Sequence, residues 1–151
     1  MKQVAFTNSH GEIDHVATPG WDDMYTHGTE YNGCIAHDFP DDFDVAAYAK
    51  THWFSADSSP QWQTRTAQPG MYHYWENGDW QWNSSRFFAD VRFERDQKLY
   101  ACDWTQASDS PLEEHIIQAW QVYRQELRAF PATLTSSGYT DIQGLGWPTK
   151  P

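Results

Sequence analysis

Cationic side chains are scarce in this chain of 151 residues: ten Lys and Arg stand against 21 Asp and Glu, a net charge of −11. Affinity for a phosphate backbone rests on cations that displace counterions, so the balance argues against nucleic acid, and equally against an anionic membrane surface. Long apolar runs are missing too. No stretch approaches the roughly 18 residues that a membrane span needs. Met1-Lys2-Gln3-Val4-Ala5-Phe6 turns polar too soon for a signal peptide, so a soluble protein made in the cytosol is expected. Two cysteines, Cys34 and Cys102, are too few for a disulfide framework. Two buried free thiols are the expectation, and their pairing is left open. There is no Gly-x-Ser-x-Gly elbow, phosphate-binding P-loop, dinucleotide fingerprint or His-Glu-x-x-His. The chain is therefore read as non-catalytic, with no cofactor and no metal.

Seven histidines and many carboxylates still call for a metal reading to be weighed. His10, Glu12, Asp14 and His15 would alternate across a strand and not converge. His37-Asp38 with Asp41, Asp42 and Asp44 lacks the twelve-residue calcium loop with its central glycine and terminal glutamate. A solvated acidic turn is the simpler reading.

Aromatic side chains are what the sequence has in excess: nine Trp, eight Tyr and eight Phe, 17% of the chain, within a hydrophobic content of only 39%. They supply large buried area per residue, and a domain this small has little interior for all of them. Residues 4 to 16 read as a hairpin, with Val4 and Phe6 alternating with Ala5 and turn chemistry at Asn8-Ser9-His10-Gly11. Pro19-Gly20 breaks it, and a short helical turn is expected at Asp22-Asp23-Met24. Cys34 to His37 reads as a short strand, Asp38 to Asp44 as an acidic turn, and Val45 to Lys50 as a helical turn with carboxylates at its positive end. His52-Trp53-Phe54 is a further short strand and Ser55 to Pro69 a polar loop. Met71 to Glu76 and Asp79 to Asn83 flank Asn77-Gly78, whose residue types suit a type I′ hairpin turn. Tyr72, Tyr74, Trp80 and Trp82 then alternate onto the two faces of an aromatic ribbon.

From Ser84 to Pro131 the period changes to that of two amphipathic helices hinged at Cys102-Asp103-Trp104-Thr105-Gln106. Ser84 or Ser85 reads as the first N-cap, and Phe88, Val91, Leu99 and Cys102 fall near one face. Ser110-Pro111-Leu112-Glu113 has capping-box spacing, with proline at the first helical position. Ile116, Trp120, Tyr123, Leu127 and Phe130 share a stripe, and Pro131 is read as its end. Ala132 to Gly146, rich in Ser, Thr and Gly, predicts an irregular arm tipped by Trp147-Pro148. An arm with an aromatic near its tip is expected to dock, on its own domain or on a neighbour.

This C-terminal region resembles the phage tail assembly chaperone family, small proteins often found beside the tail-fibre genes of tailed bacteriophages. The resemblance covers roughly the last 60 residues and is carried by several ordered parts. These are Arg95-Asp96, Leu99, Cys102-Asp103-Trp104-Thr105-Gln106, Asp109-Ser110-Pro111-Leu112, Ala119-Trp120, Tyr123-Arg124-Gln125, Leu127-Arg128 and Trp147-Pro148-Thr149-Lys150-Pro151. The family has no catalytic residues to carry over. The resemblance implies a role in tail or tail-fibre assembly in the host-cell cytoplasm, with the virion tail as the alternative location.

The expected fold is α+β: an antiparallel β unit over 1–83, a helical hairpin over 84–131 and an extended arm over 132–151. The expected function is to bind tail-fibre or baseplate subunits as an assembly chaperone, with self-association as a further possibility. Residues singled out for partner contact are Trp75, Trp80, Trp82, Trp104, Trp120, Tyr123, Leu127 and Trp147, since Trp and Tyr dominate interface hot spots. Two alternatives stand beside this reading. One is a permanent structural component of the tail, baseplate or fibre attachment; the other is a carbohydrate-binding module built on the 71–83 ribbon.

Overall fold

The computed structural model describes residues 2–17, 20–76, 78–135 and 138–151, with Asp22 described through its backbone alone. The break read at Pro19 and the Asn77 half of the Asn77-Gly78 turn lie outside the described residues. Gly78 itself takes φ +82°, the positive value that such a turn requires. The chain is α+β and divides into two compact units, Met1–Pro69 with His73–Gln81, and Gly70–Tyr72 with Trp82–Pro151. Among the described residues no helix is long and apolar enough to cross a membrane.

Unit 1 opens with the expected hairpin. β1 (Lys2–Thr7) and β2 (Ile13–Val16) pair antiparallel. Asn8 Oδ1 accepts from the N–H groups of His10 and Glu12 and so holds the turn. Gly11 sits there at φ +76°, and a Cβ on it would lie 2.0 Å from the Phe54 carbonyl oxygen, so the close approach of these two backbones needs glycine. After the 3-10 turn Asp22–Met24, β3 (Glu30–Tyr31) and β4 (Cys34–Pro40) complete an antiparallel sheet of order β2-β1-β4-β3. β1 is a central strand covered on both faces. Val4 and Phe6 pack with Ala36 on one, and Ala5 packs with Phe39 and Val45 on the other.

Two readings of this half are corrected. Asp38-Phe39-Pro40 belongs to β4, not to a turn, because Phe39 pairs opposite Gln3 and drops into the core. The turn itself starts at Asp41. Gln3 Nε2 fastens it by donating to the carbonyls of Pro40, Asp41 and Phe43 at 2.7–3.0 Å. The supposed loop after Ser55 contains β6 (Gln61–Thr64), antiparallel to β5 (His52–Ser55). Trp62 draws it in, meeting Phe39, Tyr48 and Phe54 with ring centroids 5.3–5.6 Å apart. Helix α1 (Val45–Thr51) lies where the helical turn was expected, and Asp44 Oδ1 caps it by accepting from Ala47 N–H at 2.9 Å. β7 (His73–Glu76) and β8 (Asp79–Trp82) form the aromatic ribbon.

His37 is buried at the centre of this aromatic cluster. Its Nε2 is 2.9 Å from Thr7 Oγ1, and the rings of Phe54, Trp62 and His27 surround it at 4.3–5.8 Å. Burial, helped by the neighbouring His27 and opposed by Asp38, pushes its pKa down from 6.5 to about 4. In unit 2 the buried Tyr72 moves the other way. Burial and a 3.0 Å hydrogen bond donated to Asp90 raise its pKa from 10.0 to about 12. The signs follow. A depressed histidine contributes stability that is intact above pH 6.5 and is lost as pH falls through about 4, and a raised tyrosine contributes stability that is intact below pH 10 and is lost as pH rises through about 12. Each loss amounts to about 3 kcal/mol at its limit. Urea midpoints followed against pH should therefore fall in an acid window at His37 and an alkaline window at Tyr72. His37→Gln should flatten the acid limb and Tyr72→Phe the alkaline one.

Unit 2 is helical. α2 (Ser84–Tyr100) is capped by Asn83, whose Oδ1 accepts from Arg86 N–H at 2.9 Å, and not by either serine that follows. Its inner face presents Phe87 and Val91 to a core shared with Tyr72, Phe130 and Leu145. Phe88 and Leu99, read near the inner face from the periodicity, are half-buried, Phe88 beside this core and Leu99 against the Cys102 cluster. The 3-10 turn Asp103–Gln106 forms the hinge, and α3 (Glu114–Thr133) follows. The capping box at Ser110 does not form. Ser110 N–H closes a turn on Ala107, its hydroxyl has no partner among the described residues, and the extended Glu113 becomes the N-cap. Pro131 does not end α3 either. It falls in the last turn, where its ring forfeits only one late helix bond, and Thr133 Oγ1 donates to the Phe130 carbonyl at 2.7 Å.

The arm folds back on this unit. Tyr139 stacks on Phe87 with planes 2° apart, Leu145 is buried, and Trp147 lies 4.4 Å from Phe130 while donating from Nε1 to the Ile142 carbonyl. The stripe on α3 is accordingly covered within the unit. Cys102, Tyr123 and Leu127 form its inner cluster, with Leu99, Trp120 and Trp147 against them.

Candidate partner-binding surface

The eight aromatic and aliphatic residues singled out for contact separate into distinct environments. In unit 1, Trp75 is buried, and Trp80 stands edge-on to it at 5.1 Å. Both indoles are faced by Arg65, whose guanidinium carbon lies 5.2 and 5.1 Å from the two ring centres. The same guanidinium donates to Glu12 at 2.7 Å and to the Ala49 carbonyl at 2.6 Å. Trp80 Nε1 donates to Thr66. Arg65 thus covers one face of each indole from within their own unit.

In unit 2, Trp82 is half-buried against Tyr72 and Phe87. Tyr123 and Leu127 are core residues, and Trp120 and Trp147 are half-buried around them. Trp104, on the hinge turn, is the exception, with 54% of its surface exposed. Its turn is rigidly held. Arg124 donates to Asp103 at 2.7 Å, to the Leu99 carbonyl at 3.0 Å and to Cys102 Sγ at 3.2 Å, and Thr105 Oγ1 donates to the Cys102 carbonyl. Burial alone would lower the Arg124 pKa, but the hydrogen bonds to Asp103 and Cys102 outweigh it and leave it raised. Burial likewise raises that of Tyr123. Cys102 and Cys34 are both free thiols, the first buried and the second half-buried.

Periodicity read for the buried face passed over the opposite one. Phe93 and Tyr100 are 66% and 78% exposed. Seven residues apart on α2, they lie on one stripe, nearly opposite Phe87 and Val91. A helix that serves only one core concentrates its apolar residues on one side; α2 splits them between two. With Trp104 just beyond the helix end, Val122 on the solvent side of α3, and Met71 ahead of the helices, unit 2 holds five large apolar groups in water among the described residues. The signal was present in the sequence as two aromatics at helical spacing, out of phase with the core stripe.

Charge divides unevenly as well. Unit 2 carries seven of the ten Lys and Arg and nine of the 21 Asp and Glu, a net of −2, which leaves −9 on unit 1. Among the described residues no group of three or more His, Cys, Asp or Glu side chains is arranged to hold a metal ion. Neither the curated proteins nor the solved structures yield a match to the chain. Residues 88–151, most of α2 together with the hinge, α3 and the whole arm, match the family described as phage tail assembly chaperone protein.

Proposed function

We propose that this protein is an assembly chaperone that binds a tail-fibre or baseplate subunit of a tailed phage through the outer face of α2 and its hinge, without catalysis. The observation that carries the reading is the match over residues 88–151, since the exposed Phe93, Tyr100 and Trp104 all fall inside it. Exposed apolar groups on a small folded unit suit a protein that covers similar surface on a client until the client assembles. Unit 1 also displays Trp21, Met24 and Tyr74, but these lie outside the matched residues, and the reading is built on unit 2. The strongly acidic unit 1 keeps such a helper soluble. The arm and the α3 stripe cover one another, so neither calls for a permanent neighbour.

The test is co-expression with the tail-fibre and baseplate subunits of the same phage. Wild-type protein should keep one of them soluble and co-purify with it. The triple variant Phe93→Ser, Tyr100→Ser, Trp104→Ser should lose about tenfold or more in affinity, because aromatic anchors carry most of an interface's energy. Its unfolding midpoint should hold, since surface changes usually cost within about 0.5 kcal/mol. Equal capture by the variant would place the surface elsewhere. If no subunit is solubilised by the wild type, the chaperone reading fails. Mass spectrometry of purified particles completes the test: a chaperone is absent from them, whereas a fixed copy number per particle marks a structural tail component.

A further inference from the structure

Gln121 and Gln125 stand one turn apart on α3, as do Arg124 and Arg128, so the four share one side of the helix. With Gln106 from the hinge turn they line a cleft of about 270 Å³. Two guanidiniums and three amides make up this lining, with no carboxylate, in a chain that carries 21 of them. Arg124 is already committed, to Asp103, Cys102 and the Leu99 carbonyl. Arg128 is not. It is exposed, and no ion pair or hydrogen bond joins it to another described residue. An uncommitted guanidinium beside three amides is a site for a planar anion flanked by peptide groups: the fork takes a carboxylate, and each amide can both donate and accept.

We infer that this cleft binds an extended acidic segment of the client subunit, an inference that rests on the chaperone reading and assigns its chemistry. Three features narrow the occupant. The backbone of α3 is consumed by helix bonds, so an incoming group meets side chains only. A chain-terminal carboxylate is typically captured by a nest of backbone N–H groups, which points here to Asp or Glu side chains instead. One free cation is too few for a nucleic-acid backbone. The near-neutral charge of unit 2 does not repel an acidic segment as unit 1 would. Gln106 and the exposed Trp104 are carried by the same hinge turn.

The experiment uses the full chain and two fluorescein-labelled dodecapeptides, one with several glutamates spaced by Gly and Ser, the other with glutamine at the same positions. Anisotropy titrations should give about tenfold tighter binding of the glutamate peptide, weakening as salt rises from about 20 to about 200 mM. Arg128→Gln should abolish the preference. Arg128→Lys should recover only part of it, because a point charge lacks the two-pronged geometry. Lys150→Gln, which removes a cation outside the cleft, should leave it intact. Equal affinities for the two peptides, an unchanged preference in Arg128→Gln, or an equal loss in Lys150→Gln would each overturn the inference. Client capture by the wild type reports separately on the chaperone reading. Capture without any peptide preference removes the cleft and leaves the reading standing; preference without capture does the reverse.

Discussion

Arg65→Ala is expected to destabilise unit 1 by about 3–5 kcal/mol, the range for removing one partner of a buried ion pair. The side chain is nine-tenths buried and joins four separate pieces of the unit. It meets Glu12 at the β1–β2 turn, the Ala49 carbonyl on α1, Trp75 on β7 and Trp80 on β8. Truncation leaves the Glu12 carboxylate partly buried without its cation and uncovers two indole faces, each cation–π contact being worth about 0.5–2 kcal/mol. Arg65→Lys should recover little. An ammonium is a compact point charge and lacks the broad fork that reaches Glu12, the Ala49 carbonyl and both rings at once. Urea denaturation followed by tryptophan fluorescence would check the loss, and Glu12→Gln should cost less, since it keeps an acceptor for the guanidinium. If Arg65→Ala and Arg65→Lys both melt like wild type, the aromatic ribbon is held by its own strand pairing and the guanidinium is incidental.

The second large effect lies in unit 2. Phe87→Ala should cost about 3–5 kcal/mol, as for other fully buried aromatics. Its ring touches Tyr72, Trp82, Phe88 and Tyr139 with centroids 5.0–5.2 Å away, so the cavity left behind has walls of other rings that cannot collapse together. The loss has a local signature. Tyr139 is stacked flat on Phe87 and helps to hold the arm, so limited proteolysis should cut the variant within residues 132–146 faster than wild type, and faster than in Leu127→Ala, whose cluster centres on Cys102 and Tyr123 farther up the same stripe of α3 and does not include Tyr139. Phe93→Ala, on the same helix six residues along, is expected to change stability by less than about 0.5 kcal/mol. That contrast between two phenylalanines tests the assignment of the inner and outer faces of α2 directly. Equal destabilisation by both substitutions would mean that the outer face is packed.

Several elements could be read from local chemistry alone. Asn8 and Gly11 fix the first hairpin, Asp44 caps the first helix, and the Trp120–Tyr123–Leu127–Phe130 spacing sets one face of α3. Each depends on neighbours within a few residues, so the sequence by itself determines it. Element ends were less legible because they are decided by competition. Asn83 and not Ser84 caps α2, Ser110 is taken into a turn, and Pro131 is tolerated in the last turn of α3. β6 was hidden because its single large apolar residue, Trp62, is worth burying only when Phe39, Tyr48 and Phe54 already surround it.

Which aromatics face a partner could not be decided from periodicity, since nine tryptophans look alike in sequence. Tertiary structure separated them. Trp75 and Trp80 are claimed by an arginine just past the end of β6, Trp120 and Trp147 by the Cys102 cluster, and Trp104 is left in water. Arg65 itself carried no local signal, because its partners come from positions 12, 49, 75 and 80 and meet only in the fold. The same holds for the cleft at Arg128. Sequence determined the acidic charge and the helical stripe, which are sums and periods along the chain. Only the tertiary structure decided where the few cations gather and which apolar groups stay exposed, because those depend on residues far apart in sequence being brought into contact.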